Sequence, residues 1–466
     1  MAYLGKKGYT IYKDGLKDSY TIRNELNVKP YSTHLGNATS YPIYRESNTK
    51  LYLPRYYGIE KLGMYSTNVL SKGDPIDLSF RGDLFDYQHK IIDKYIQHVG
   101  DSGGGLLDVE PGKGKTVMAL NIISKLKKKT LVIVHKSFLM NQWIERIEQF
   151  LPNARVGKIQ GEHIDIDNKD IVLGMLQSLS SKKYDDTVWD SFGLCVFDEC
   201  HHLSAEVFSN VMIQFVCNYN LGLSGTMTRK DGLTKVFKYF IGPVIHKEKT
   251  DLSVEVHVKT IHYQDDDLFQ NVKTDFRGNP LYSTMISTLC ECKSRTKFLV
   301  DIVRNEFLLN PNQQMMILAH NKSLIQNLYD LISLFESSVG FYLGGMKENA
   351  LKESESKKII IATYAMASEG LDIKTLTTLF MATPKSDVCQ SVGRILRSKH
   401  STPLVIDIVD PHTIFSNQYK KRKAYYSKKK YLVELFSNSN QYFKNEKTKE
   451  SKKKCLLKYK ILTIYI

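Results

Sequence analysis

Two short runs of residues could do chemistry together. The first is Glu110-Pro111-Gly112-Lys113-Gly114-Lys115-Thr116. It follows the largely apolar segment 105–109 and precedes residues 117–126, which read as a helix. A strand, a glycine loop and a helix start present a row of backbone N–H groups at the positive end of a helix, where phosphate oxygens bind. Gly112 and Gly114 let the backbone come close, with Pro111 and Lys113 in the same loop. Lys115 can reach the β- and γ-phosphates of a nucleotide, and the Thr116 hydroxyl can hold Mg2+. The strict form of such a loop has glycine five residues before Gly114, where this chain has Val109. Taken alone, a glycine turn ahead of an ordinary helix would read the same way. The second run, about 80 residues on, is Leu194-Cys195-Val196-Phe197-Asp198-Glu199-Cys200-His201. An apolar strand ending in Asp-Glu sets two carboxylates at the carboxyl edge of a parallel sheet, where open α/β sheets bind ligands. Asp198 would hold Mg2+ and Glu199 would polarise an attacking water. By itself the pair could equally cap the next helix. Together the two runs point to ATP with Mg2+.

The elements that position them follow from hydrophobic patterning. From about residue 80, helical periods alternate with wholly apolar runs at 131–134, 171–173, 194–197 and 221–223. Such runs, lacking in/out alternation, are strands of a parallel sheet covered on both faces. The pattern weakens across 250–279 and resumes at 315–318, 358–362, 378–381 and 404–408. The expected class is therefore α/β, with two parallel-sheet domains in tandem. The expected organisation is a strand-containing appendage over 1–76, a first domain over 77–249 and a connector over 250–296. A second domain over 297–415 and a Lys/Tyr-rich basic tail over 416–466 follow, with no strand after Asp410. The tyrosines of the appendage could form an ordinary aromatic core or platforms on which bases stack.

With both runs in order, the chain resembles superfamily 2 helicases, most of all the XPB/UvsW-type DExH branch that includes poxvirus and giant-virus transcription helicases. Further motifs arrive in the family's order between about residues 77 and 410. Asp86-Tyr87-Gln88 resembles the site of the adenine-sensing Gln, here Gln88, although Phe85 stands where many relatives carry Arg. VIVHKSFLMNQW (132–143) resembles motif Ia on the nucleic-acid track, and 174–179 resembles motif Ib. LSGT (223–226) resembles motif III, MILAHN (316–321) motif IV, ATYAMASEGLD (362–372) motif V and QSVGRILR (390–397) motif VI. The resemblance implies two RecA-like domains that clamp ATP-Mg2+ between them and nucleic acid across their top. His201, Ser224 and Thr226 would couple the two sites, and Gly370 and Asp372 would lie at the interdomain cleft. Gln390, Arg394 and Arg397 are four and three residues apart, so one helix would carry them on one side. Arg394 and Arg397 would act as fingers on the transition-state charge of the γ-phosphate. The resemblance favours DNA over RNA as partner, with transcription termination or DNA repair as the setting. A duplex translocase that does not separate strands would share every motif. So would a nucleic-acid scaffold without activity, against which the intact Lys115, Thr116, Asp198, Glu199, Gln390, Arg394 and Arg397 argue.

Composition agrees with a polyanionic partner. The formal net charge is +16, and residues 417–466 carry 15 Lys+Arg against 3 Asp+Glu, so most of the excess lies in the tail. The seven cysteines are scattered with no metal-ligand spacing, which fits a reducing, intracellular compartment. No run approaches ~18 apolar residues, so no membrane partner is expected.

Overall fold

The computed structural model describes residues 1–16, 18–31, 39–110, 112–199, 205–225, 232–247, 255–265, 267–270, 272–369, 373–396 and 403–446. The chain divides into two units, Met1–Lys249 and Thr250–Ile466.

In the first unit eight strands lie in one sheet. Their spatial order is His163–Asp165, Val156–Gln160, Ile171–Met175, Thr130–Val134, Leu194–Phe197, Tyr219–Ser224, Gly103–Asp108, Val244–Lys247. All neighbours run parallel except the edge strand His163–Asp165. The apolar runs are explained by two cores. Leu131, Ile133, Cys195 and Phe197 pack on one face, and Val132, Val134, Leu194 and Val196 on the other. Successive side chains point to opposite faces, so a strand buried on both sides must be apolar throughout. In the strand Gly103–Asp108, a Cβ at Gly104 would fall 2.3 Å from the Ile241 carbonyl oxygen. The helix Thr234–Ile241 therefore ends directly on this strand.

The appendage is part of this unit. It forms a five-stranded sheet in the order Arg45–Glu46, Lys50–Leu53, Gly8–Tyr12, Ala2–Gly5, Thr67–Asn68. Its inner face (Tyr9, Leu51, Leu53) shares a core with Leu131 and Phe197. Arg55, only 3% exposed, reaches between the two layers. Its guanidinium donates to the Asn218 carbonyl at 3.0 Å and to Ser102 Oγ at 2.9 Å, just ahead of two strands of the large sheet.

The second unit is a seven-stranded parallel sheet. Its order is Val339–Tyr342, Ile359–Thr363, Met315–Ala319, Thr378–Met381, Leu404–Val409, His257–His262, Leu432–Phe436. Two sequence expectations are corrected here. The stretch read as a connector supplies the interior strand His257–His262, which pairs with Leu404–Val409 on one side and Leu432–Phe436 on the other. Its lysine disguised it: Lys259 Nζ is held at 2.7 Å by Glu306 and at 3.3 Å by Glu446. The first part of the expected tail is the helix Thr413–Lys428 followed by an edge strand. Phe415, Tyr419, Arg422 and Tyr426 form its buried stripe, while Lys420, Lys421 and Lys423 point outward. Arg422 is buried with Asp407, Nε to Oδ2 at 2.9 Å, and Tyr426 donates to the same oxygen at 2.9 Å. Among the described residues no helix is long and apolar enough to cross a membrane.

Candidate active site

Three adjacent strands of the first unit, Leu194–Phe197, Tyr219–Ser224 and Gly103–Asp108, run parallel and end at the same edge. The glycine loop springs from the last of them. Gly112 and Gly114 have φ of 85° and 78°, a conformation that favours glycine. Gly114 caps the helix Lys115–Leu126 with no side-chain cap. A Cβ at Gly114 would fall 2.4 Å from Gln88 Nε2, so the loop closes tightly on the helix Asp86–Val99. Gln88 is buried there, donating to the Lys113 carbonyl at 3.1 Å and accepting from the Phe85 N–H at 3.0 Å. Tyr87 donates to the same carbonyl at 3.1 Å, and its ring stacks on the exposed ring of Phe85.

Lys115 and the Asp-Glu pair converge. Lys115 Nζ lies 3.1 Å from Glu199 Oε1, both side chains mostly buried. Glu199 has φ of 46°, the left-handed region that costs a non-glycine residue energy and is concentrated at functional sites. Asp198 is 6% exposed, and its Oδ2 accepts a 2.8 Å hydrogen bond from Trp143 Nε1. Burial, with the neighbouring Glu199 charge, pushes the Asp198 carboxyl up to about 6, against the opposing pull of the Trp143 N–H and Lys115. Trp143 belongs to the helix Ser137–Phe150. Its segment was legible as motif Ia, but nothing in the sequence linked its indole to a carboxylate 55 positions on. Ser224 ends its strand fully buried.

In the second unit the expected single helix of motif VI is a short helix, Cys389–Val392, followed by a 3-10 turn, Gly393–Leu396. The tighter turn removes the four-residue stacking assumed for Gln390 and Arg394. Arg394 is buried, with Nε donating to the Ala367 carbonyl at 2.7 Å. Pro111, Cys200, His201, Thr226, Gly370, Asp372 and Arg397 lie outside the described residues.

The first unit fits a nucleotide with a hard divalent cation. The glycine cradle has no room for side chains at Gly114, and Asp198 with the Thr116 hydroxyl offers oxygen donors beside the Lys115 ammonium. A glycine loop beside an Asp-Glu strand end on one parallel sheet, with a second parallel-sheet unit behind it in sequence, defines a tandem RecA-like nucleotide-binding protein. The fold is that of Saccharomyces cerevisiae Dbp5 bound to RNA and ADP BeF3. The likeness has a TM-score of 0.51 at 11% identity, over 74% of this chain and 89% of that one. The family model described as "Type III restriction enzyme, res subunit" matches residues 81–229. A protein of Acanthamoeba polyphaga mimivirus, named as an ATP-dependent RNA helicase (L396), is 35% identical over 92% of this chain and 86% of its own length. An African swine fever virus protein named as an ATP-dependent RNA helicase (QP509L) is 28% identical over 78% of this chain and 77% of its own. The chain belongs to the superfamily 2 helicases, in the family of these large-DNA-virus proteins. It is an ATP-using, nucleic-acid-dependent enzyme.

Proposed function

We propose that this chain couples Mg2+-dependent ATP hydrolysis to movement along duplex DNA, opening it in the setting of viral transcription or repair. The observation that carries the chemistry is the convergence of Lys115, Glu199 and Asp198 beside the glycine loop. The motifs themselves do not separate DNA from RNA; the XPB/UvsW resemblance favours DNA, and RNA, named for two relatives, is the competing substrate. Gly112, Lys113 and Gly114, with Pro111, cradle the phosphates, and Lys115 neutralises the β- and γ-oxygens. Thr116 and Asp198 would hold Mg2+, which would supply charge neutralisation at the phosphates. Glu199 orients and deprotonates the attacking water. Arg394 and Arg397 would stabilise the transition-state charge, and Gln390, Gly370 and Asp372 would contribute to nucleotide binding, as the resemblance implies. His201, Ser224 and Thr226 pass the state of the site to the nucleic-acid grip. ATPase rates with matched double- and single-stranded DNA and RNA test the substrate. Double-stranded DNA should stimulate most, and greater stimulation by RNA would overturn that choice. Strand displacement beside triplex displacement then separates unwinding from bare translocation.

Trp143 is a positioning residue in this scheme. Its N–H occupies one Asp198 oxygen and so aims the other. Trp143→Phe keeps an aromatic ring in the pocket but deletes the donor, a loss worth about 1.5–3 kcal/mol when the partner is charged. The variant should need more Mg2+ to bind a fluorescent ATP analogue, while Mg2+-free binding stays at the wild-type level. An unchanged Mg2+ titration would remove Trp143 from the site.

A further inference from the structure

Among the tyrosines of the first 75 residues, two sets belong to the five-stranded sheet and the core beneath it. Tyr9 and Tyr57 are each 1% exposed and belong to the core. Tyr3, Tyr12 and Tyr52 lie on the other face of the five-stranded sheet. The register shows this: Tyr3 stands opposite Thr10, Thr10 opposite Tyr52, Tyr52 opposite Arg45, and Tyr12 opposite Lys50. Residues directly opposite in a ladder share a face, and their neighbours Leu4, Tyr9, Leu51 and Leu53 fill the core face.

The middle of this outer face is covered by the rings themselves. Thr10 is 1% exposed although it points away from the core, and its hydroxyl donates to the Gly8 carbonyl at 3.2 Å. The side chains flanking it on both neighbouring strands are Tyr3 and Tyr52. Tyr3 also lies over Gly5, where a Cβ would sit 3.1 Å from its Cε2. Tyr3 and Tyr52 are themselves half-buried, and Tyr12 beside them is 44% exposed. Cations rim the rings. Lys50 Nζ donates to the Tyr3 hydroxyl at 3.2 Å, 5.3 Å from that ring's centroid, and lies over the Tyr12 ring at 4.7 Å from its centroid. Lys7 Nζ lies 5.3 Å from the Tyr52 centroid, and Arg45 is exposed. Glu46, the nearby carboxylate, is already held by Lys13 at 2.7 Å and Arg23 at 3.0 Å.

We propose that Tyr3, Tyr12 and Tyr52, rimmed by Lys7, Lys50 and Arg45, form a stacking platform for single-stranded DNA. Aromatic faces stack any base, and the surrounding cations take the phosphates, so binding is tolerant of sequence and sensitive to salt. Tyr3 and Tyr52 are two strand spacings apart, roughly 10 Å, which a short run of extended nucleotides can bridge. Single-stranded DNA is the occupant that follows from the proposed function, and neither the Thr10 hydroxyl nor the mid-sheet backbone is open to a ribose 2′-hydroxyl. The Thr10 hydroxyl is buried, and backbone groups in mid-sheet are used by the ladder. None of these residues belongs to the nucleotide site, so the platform is a second grip. It deepens the reading of the chain as a nucleic-acid enzyme and rests on it.

The test uses the full chain and a fluorescent oligo(dT), with affinity read by anisotropy. Changing Tyr3, Tyr12 and Tyr52 together to Leu keeps apolar bulk without stacking, and should weaken binding at least about tenfold. Changing the same three to Phe should leave affinity near the wild type. Basal ATPase without nucleic acid should be unchanged in both. If the triple leucine protein does not fold, Tyr12→Leu alone serves, together with photocrosslinking of 5-iodouracil oligonucleotides to the wild type, which should label Tyr12 or Tyr52. Wild-type affinity in the leucine variants, crosslinks that avoid all three tyrosines, or tighter binding of oligo(U) than oligo(dT) would each overturn the platform. A wild type whose ATPase responds to no nucleic acid, yet which binds oligo(dT) through these rings, would sink the proposed function and leave the platform standing.

Discussion

Glu199→Gln is expected to leave nucleotide binding intact and to slow hydrolysis by about a thousandfold, within the range of general-base catalysis. The change is isosteric, removes the proposed base and keeps an oxygen for the Lys115 ammonium now 3.1 Å away. Lys115→Ala should act one step earlier. It removes the cation proposed to meet the phosphates, so binding of a fluorescent ATP analogue should itself disappear along with turnover. The two variants therefore differ in a way that separates binding from chemistry. Measurement of analogue affinity beside single-turnover rates decides between the roles. Wild-type turnover in Lys115→Ala would end the reading of residues 110–116 as a phosphate loop. A Glu199→Gln protein that hydrolyses normally would assign the base elsewhere.

Truncation at the carboxyl end should give two opposite results depending on where it falls. The charge run beginning at residue 417 reads as a dispensable basic tether, but the structure places helix Thr413–Lys428 and strand Leu432–Phe436 inside the second unit. Removing residues 417–466 strips Arg422 from Asp407, which is fully buried, and takes away the strand that pairs with His257–His262. Breaking a buried ion pair alone costs about 3–5 kcal/mol, a large share of a domain's stability. The second unit should unfold, and ATPase should be lost with it. Removing only 447–466, which carry seven lysines and one glutamate, should spare the thermal transition and the maximal rate. Affinity for nucleic acid should fall and its salt dependence flatten. Arg422→Met, which keeps the bulk and removes the charge, should reproduce the instability of the long deletion without any loss of chain. Calorimetry of the three proteins checks the set.

What was legible in advance was local. Residues 110–116 and 194–199 announce themselves because loop, strand and helix start are contiguous, and burial on both faces makes the strands apolar throughout. What was hidden depended on partners far along the chain. Lys259 interrupts the apolar pattern of its strand, and the carboxylates that hold it, Glu306 and Glu446, are distant in sequence. The lysines at 420, 421 and 423 masked an amphipathic period whose inner stripe includes an arginine. Motif VI spacing suggested one helix, but hydrogen bonding tightens it into a 3-10 turn at Gly393. Trp143 could be assigned to a helix and not to Asp198, since their contact is made only by folding. The tyrosines of the appendage split between core and surface by strand register, which composition does not encode.

The position of the strand His257–His262 also bears on how the chain is made. Among the described strands of the second unit it is the first to leave the ribosome, yet its two neighbours are the last, Leu404–Val409 and Leu432–Phe436. The first unit, closed by Val244–Lys247, can complete its sheet while translation continues. The second must carry a strand with both edges open for roughly 140 residues before either partner exists. Lys259 in its centre, paired with Glu306 and Glu446 in the folded unit, lacks the second of these carboxylates until residue 446 is made, and so keeps a charged side chain on the unpaired strand. The residue that made the strand hard to read is thus also a guard against premature pairing.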